Sequence, residues 1–349
     1  MLRTGWLFAA ALACGNALAA DTGTCDKRTD LPPTVNFRID NDLFGKQDQG
    51  YSNGVQLTLV SPNLVDYTDD PCLPRLARWM NRHLDALTPE GFEQQNMVVT
   101  FAQGIFTPTD FTRSDLIVED RPYAAALLVG LGYNARNGDH LRTTQLQFGI
   151  VGPSALGEQV QNEVHRILGD PRFEGWDNQL HDEPVIRLVH ERMRRFSPGH
   201  GNGHGNGDWG WDAITHYGGS LGNLATYANA GAELRLGRHL PDDFGSTPLR
   251  PAGVNTAPTH GRQVGGPFGI HLFLTFDARW VLRDITLDGN TFRHSHSVDK
   301  KALVGEVGYG FAVTKGRWKF ALARYNRSRE FEGQVEAPVF GSFTISRAL

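Results

Sequence analysis

Alternation of apolar and polar residues is the dominant pattern along this chain. Val35, Phe37 and Ile39 alternate with Asn36, Arg38 and Asp40, and Val55, Leu57 and Leu59 alternate with Gln56 and Thr58. The same period recurs from Leu141 to Phe148, from Ala232 to Leu236 and from Phe343 to Ser346. A period of two places successive side chains on opposite faces of a strand, here one apolar and one polar. It predicts strands over 35–41, 51–60, 96–106, 122–133, 142–151, 184–194, 211–219, 225–237, 268–280, 300–313, 316–326 and 339–349. Most are long enough to cross a bilayer as tilted strands, for which roughly 9–11 residues suffice. Their number, about twelve, is even, as single-chain bacterial barrels require. The last runs to the C-terminus with Phe343, Ile345 and Leu349 in phase. A soluble β-sandwich also alternates, but strand length and the terminal strand favour the barrel. The expected fold class is all-β, a transmembrane antiparallel β-barrel.

Two segments carry a helical pattern instead, Leu73 to Leu87 and Ala155 to Leu168. Ser197 to Asp208 is rich in Gly and His; His200 and His204 are conceivable metal ligands, but glycines preorganise nothing and a surface loop is the better reading. Leu240 to Pro267 is a second long, Pro- and Gly-rich connection. If the N-terminus starts in the periplasm, the loops after the first, third and fifth strands share the extracellular rim. The 61–95 and 238–267 segments then fall on the periplasmic side, where barrel turns are normally short.

Composition narrows the picture. A net charge of −4, from 34 basic and 38 acidic residues, gives no reason to expect nucleic acid. A mean hydropathy of −0.35 excludes a helical membrane protein. The 40 glycines suit turns and closely approaching strands. At the N-terminus, Arg3, the apolar run Trp6 to Ala13 and Ala17-Leu18-Ala19 form a signal-peptide pattern, so 1–20 is expected to be a leader and 21–349 the barrel domain. Cys25 and Cys72 would remain after export, an even pair in an oxidising compartment where a disulfide is plausible.

Four patches are too polar, or too specifically arranged, for plain barrel wall. They are Asp40-Asn41-Asp42; Gly50-Tyr51-Ser52-Asn53-Gly54; Gln103 through Thr107-Pro108 and Arg113 to Asp120-Arg121-Pro122-Tyr123; and Gly152-Pro153 through Gln161, Asn162 and His165 to Gly175-Trp176-Asp177-Asn178-Gln179. The strand order carries all four to one rim. Gln161 and His165, four apart, share one helix face. A His near a carboxylate can serve as general base on water or Ser. Asp42 with nearby backbone carbonyls is a candidate for Ca²⁺, a hard cation that takes oxygen ligands. Taken singly, these residues also have structural readings: Asn41 and Asp42 capping a turn, Ser52 an ordinary wall residue, His165 satisfying its helix against the barrel. Trp176 reads singly as an interfacial-belt aromatic, the alternative being a support for the site, and Tyr123 as a lipid-facing or belt aromatic.

In order along the chain, the patches resemble the outer-membrane lipid A 3′-O-deacylase (LpxR-type) family. The matching text is Asn41-Asp42, Tyr51-Ser52-Asn53-Gly54, Thr107-Pro108, Asp120-Arg121-Pro122-Tyr123, Gly152-Pro153, Gln161-Asn162 with His165-Arg166, Gly175 to Gln179, and Gly219 to Tyr227. The resemblance implies a roughly twelve-stranded barrel. It also implies a calcium-dependent esterase that releases the 3′-linked acyloxyacyl group of lipid A in the outer leaflet. By motif, Asn41 and Asp42 match the asparagine–aspartate pair of the family's site, and Ser52 stands where the family has Thr or Ser. Gln161 and His165 match its helix pair, with His165 as base activating water and calcium helping to stabilise the oxyanion. Arg113 falls near a family lysine and is a candidate for binding a lipid A phosphate. Asp170 is nearest to a family acidic residue, although Pro171 occupies the strict register. A monomer in the outer membrane is expected; the alternative is a non-enzymatic barrel, a pore or adhesin.

Overall fold

A computed structural model of the chain describes residues 32–42, 50–88, 91–169, 171–198, 209–246 and 267–349. The 1–20 leader, Cys25, Asp170, His200 and His204 lie outside the described residues. The strands are β1 (Thr34–Asn41), β2 (Gly50–Val60), β3 (Gln94–Thr107), β4 (Ala124–Asn137), β5 (His140–Val151), β6 (Glu183–Phe196), β7 (Trp209–Gly222), β8 (Ala225–Arg238), β9 (Gly269–Asp284), β10 (Leu303–Lys315), β11 (Trp318–Arg327) and β12 (Val339–Ala348). Each pairs with its chain neighbours and β12 returns to β1, which closes a twelve-stranded barrel. The closing pair is antiparallel, with Thr34 opposite Ala348 and Asn41 opposite Gly341. All twelve expected strands are present in order. Ends differ: β9 continues to Asp284 and β10 begins at Leu303, because 285–302 folds as a separate rim loop.

The alternation reads directly onto the two faces. On β9, Ile270, Leu272, Leu274 and Phe276 point outward and are exposed, while His271, Phe273, Thr275 and Asp277 are buried inside. The lumen is largely polar, and burial then requires partners. Arg187 Nε donates to Gln147 Oε1 at 2.6 Å, Gln147 to Gln145 at 3.0 Å, and Gln145 to Thr100 at 3.0 Å. His216 meets Asp277 at 2.9 Å, and Arg327 donates to Glu306 at 2.8 Å. Closure removes sheet edges, so the backbone is satisfied without water.

Strand direction divides the loops between two rims. One rim, here called upper, carries 108–123, 152–182, 285–302 and 328–338. The lower carries both chain ends, with Leu349 N donating to Pro33 O at 2.8 Å. Phe196, Trp209, Trp211 and Trp318 stand exposed at the lower ends of their strands, as an interfacial aromatic girdle.

The long connections expected at the lower rim are both there, and their described parts are packed. Residues 241–246, after β8, fold back into the barrel mouth. Phe244 packs among Leu141, Met193 and Ile214, with the Arg136 guanidinium 5.0 Å above its ring. Arg136 pairs with Asp242 at 2.7 Å, and Arg195 joins the same carboxylate. Asp243 takes Lys319 at 2.6 Å as well as Arg235, which also holds Asp212 at 2.6 Å. Ser246 donates to Glu233 at 2.7 Å. One short segment thereby ties β4, β5, β6, β7, β8 and β11 into a plug.

The other connection, after β2, carries α1 (Arg75–His83), a shorter helix than expected. It follows Pro74 and breaks at Leu84 into a 3-10 turn over Asp85–Leu87. Leu64, Tyr67, Cys72 and Leu73 pack on Met97, Leu131 and Tyr133, the outward side chains at the lower ends of β3 and β4. Tyr67 OH donates to Asn134 O at 2.6 Å, and Tyr133 OH to Asn81 Oδ1 at 2.7 Å. Cys72 is disulfide-bonded to a cysteine outside the described residues.

Candidate active site

β1 supplies the first group. Phe37 and Ile39 face outward, so Asn41, in phase with them, faces outward too. Its Nδ2 donates to the Ser52 carbonyl at 3.2 Å. On β2, Tyr51 opposes Phe106 and Asn53 opposes Ile105, which leaves Ser52 as the extra residue of a bulge. A bulge re-aims a side chain; here the Ser52 hydroxyl is fully buried 2.5 Å from Thr107 Oγ1. Tyr51 turns inward instead, donating to Asp40 Oδ2 at 3.0 Å, while Arg38 Nε donates to Asp40 Oδ1 at 2.6 Å. Gly54 makes room for that phenol: a Cβ there would stand 1.7 Å from the Tyr51 hydroxyl oxygen. Asp42, just after β1, is 1% exposed.

The second group lies on α2 (Gly157–Leu168), between β5 and β6. A sharp entry makes the helix possible: Gly152 has φ 115°, a 3-10 turn follows over Pro153–Ala155, and Leu156 has φ 61°. Gln103 Nε2, from β3, donates to Ala155 O at 2.6 Å and ties this entry to the wall. Ile105, Tyr123, Ala125, Ala155, Phe173 and Trp176 form one buried cluster beneath the helix. Gly157 admits the contact, since a Cβ there would lie 2.5 Å from Ala125 Cβ and 3.0 Å from the Trp176 ring. Ala125 and Ile105 are outward positions of β4 and β3. The helix therefore lies on the outside of the barrel, where lipid would otherwise be.

Gln161 and His165 share the buried face of α2, as their spacing predicts. His165 Nδ1 is 2.7 Å from Pro171 O, and a carbonyl only accepts, so this nitrogen carries the proton. Nε2 then keeps its lone pair and faces the Gln161 amide nitrogen at 3.1 Å. The Phe173 ring meets the imidazole edge-on at 5.0 Å. An imidazole held in this tautomer presents Nε2 as its acceptor, here turned to the Gln161 amide.

Of the expected site residues, Asn41 and Ser52 meet directly, and so do Gln161 and His165. β3 carries the anchors of both groups, Thr107 for the first and Gln103 for the second. Arg113 stands apart: it is exposed and paired with Asp115 through Nε at 3.0 Å and Nη2 at 2.5 Å. Those bonds raise the Arg113 pKa. The expected belt role of Tyr123 is corrected, and of the two readings of Trp176 the structure has the support rather than the belt residue. Both are buried, 4.9 Å apart, and they support α2 because the loop covers the wall at that point.

Sequence reasoning assigned no role to Arg121, although it marked the Asp120 to Tyr123 patch. The buried Arg121 reaches Glu330 at 3.3 Å and Thr286 at 3.1 Å and lies 5.1 Å over Phe106. It locks three rim loops together. A buried Arg beside a Pro-Tyr turn was the available signal; its partner 209 residues away was not.

Among the described residues no three His, Cys, Asp or Glu side chains cluster as a metal site. The donor chemistry nevertheless fits a hard cation. Asp42 offers a buried carboxylate, and Gln161 Oε1 and Asn162 Oδ1 are buried amide oxygens without a hydrogen-bond partner. Such orphaned acceptors mark places for water, an ion or a ligand.

No curated protein matches the sequence. Among solved structures, LpxR from Salmonella typhimurium superposes with a TM-score of 0.71 at 17% identity, covering 90% of this chain and 100% of that one. The β-domain of the Bordetella autotransporter BrkA follows at a TM-score of 0.40 and 10% identity, over 91% of this chain and 99% of that one. The family model of outer membrane protein LpxR matches residues 6–349. With the twelve-stranded barrel and the ordered rim motifs, that match over nearly the whole sequence makes this chain a member of the LpxR family of outer membrane proteins.

Proposed function

We propose that the protein is an outer-membrane esterase that removes the 3′-linked acyloxyacyl chain from lipid A. The observation that carries this reading is a buried His165 with its proton at Nδ1, on a helix laid against the lipid-facing side of the wall. An ester of a membrane lipid reaches such a site without leaving the leaflet. His165 Nε2 takes a proton from water as the oxygen attacks the ester carbonyl. The tetrahedral intermediate collapses, the C–O bond to the sugar breaks, and the proton passes from His165 to the leaving sugar oxygen. The products are a free acyloxyacyl acid and a sugar hydroxyl. Pro171 O holds the imidazole through Nδ1 and stabilises its charged form. Gln161 orients Nε2, and Asn41 and Ser52 position water and ester on the wall side. A calcium ion held by Asp42 and amide or carbonyl oxygens would supply fixed positive charge where the oxyanion forms. Arg113 serves as a phosphate contact, exchanging Asp115 for the lipid A phosphate.

The test is expression of wild type and His165→Ala in a bacterium with fully acylated lipid A, followed by mass spectrometry of the extracted lipid. Wild type should remove one acyloxyacyl unit; the variant should fold, yet lose about 10²–10⁴-fold in rate. Equal deacylation by both would remove His165 as the base, and intact lipid A in both, with calcium present, would remove the esterase. Chelation of calcium should abolish activity reversibly. A pore is the poorer reading, because buried lumen side chains and the 241–246 plug pack the lower mouth of the barrel.

A further inference from the structure

The segment after β2 poses a separate problem at the opposite rim. Its helix α1 buries Asn81 and half-buries Ala77 and Met80 against the outer wall. The other face presents Arg75, Leu76, Trp79, Arg82 and His83. These fall within about a third of the helix circumference at 100° per residue. Leu76 is 66% and Trp79 57% exposed, and Val65 of the same connection is 71% exposed. The helix holds no acidic residue, and Arg78 flanks the exposed face. Arg82 pairs with the exposed Asp69 at 2.5 Å, and Asp85 follows the helix.

The depth of α1 is fixed by what it covers. It sits over Met97 and Leu131, and four residues further up each strand Phe101 and Leu127 face lipid. Four residues of strand span about 13 Å. The exposed face therefore lies near the lower boundary of the lipid-facing wall. Trp209, Trp211 and Trp318 mark the same lower end around the barrel. Exposed Trp and Leu beside arginines, at the level of an aromatic girdle, have the character of a helix lying in a bilayer surface.

We propose that α1 is a membrane-surface helix that docks on the phospholipid leaflet at the lower rim. Leu76 and Trp79 enter the acyl boundary, and Arg75 and Arg78 meet the phosphate groups, with a preference for anionic headgroups. This is independent of the chemistry at the upper rim.

The full-length Leu76→Cys protein, labelled with a nitrobenzoxadiazole fluorophore, tests it after refolding into phosphatidylcholine vesicles with and without phosphatidylglycerol. Labels at Leu127→Cys and Glu119→Cys give the lipid and water references, and heat-shifted gel mobility reports the closed barrel. The label at 76 should lose most of its iodide quenching relative to 119 and be quenched by lipids brominated near the headgroup. Phosphatidylglycerol should deepen that protection, and Arg75→Gln with Arg78→Gln should abolish the increment. Should labelling disturb the helix, the emission lost in Trp79→Phe reports the same contact through its quenching by brominated lipid. Iodide access at 76 equal to that at 119, or a signal unchanged between the two lipid compositions, overturns the proposal; either would leave α1 as a surface for water or for another protein.

Discussion

At the scale of residues, the upper rim rests on a few buried charges. Arg38 and Asp40 are both nearly inaccessible and bonded at 2.6 Å. Asp40→Ala would take a carboxylate from a buried guanidinium, and about 3–5 kcal/mol of stability should be lost. Tyr51→Phe, which removes one hydrogen bond, should cost about 1 kcal/mol. Urea unfolding followed by gel mobility separates the two. The Gln161–His165 pair was legible because helix periodicity forces residues four apart onto one face. The Arg121–Glu330 pair was not, since a contact across 209 residues exists only once the barrel has brought its last loops beside its third. Tyr123 was misread for a related reason. Period and composition mark an aromatic near the membrane, but only the fold reveals that α2 lies over it.

At the scale of elements, α2 depends on how closely its first turn approaches the wall. Gly157→Val would drive a side chain into Ala125 and Trp176, both part of a close-packed cluster. The barrel should still close, as heat-modified gel mobility would report, while deacylation falls by at least the loss seen for His165→Ala. Retained activity would mean that the helix position is not needed. The strands were readable because an amphipathic wall must alternate. Their ends were less so, as at β9 and β10, where Asp284 caps a helical turn, α3 (Ile285–Asp288), by accepting from Thr286 N at 2.9 Å. Helix α1 fell short of its pattern because the chain turns at Leu84 to fit the wall.

At the scale of the whole molecule, the 241–246 plug and its ion pairs occupy the lower mouth of the barrel. Wild type should be silent in planar-bilayer conductance, and deletion of 241–246 should open a conducting path. Acidity is a second probe. Burial alone would raise the Asp243 pKa, but Lys319 and Arg235 outweigh it and hold the carboxyl far below the ordinary range. The stabilisation is therefore fully present above the unfolded value of about 3.9 and is lost as pH falls through the lower folded value. Conductance should stay silent down to about pH 4 and appear only in stronger acid. Composition gave no hint of this plug: Asp242, Asp243 and Phe244 lie in a Pro- and Gly-rich connection, and their role follows from lumen partners on six strands.

The seam between β1 and β12 joins the two ends of the chain. Asn41 stands opposite Gly341, on a strand whose other neighbour comes from the last residues of the chain. Before β12 pairs, β1 is held on one side only, by β2. On the proposed reading, hydrolysis waits until the final strand has zipped, so the chain is inert in transit and competent only at its destination.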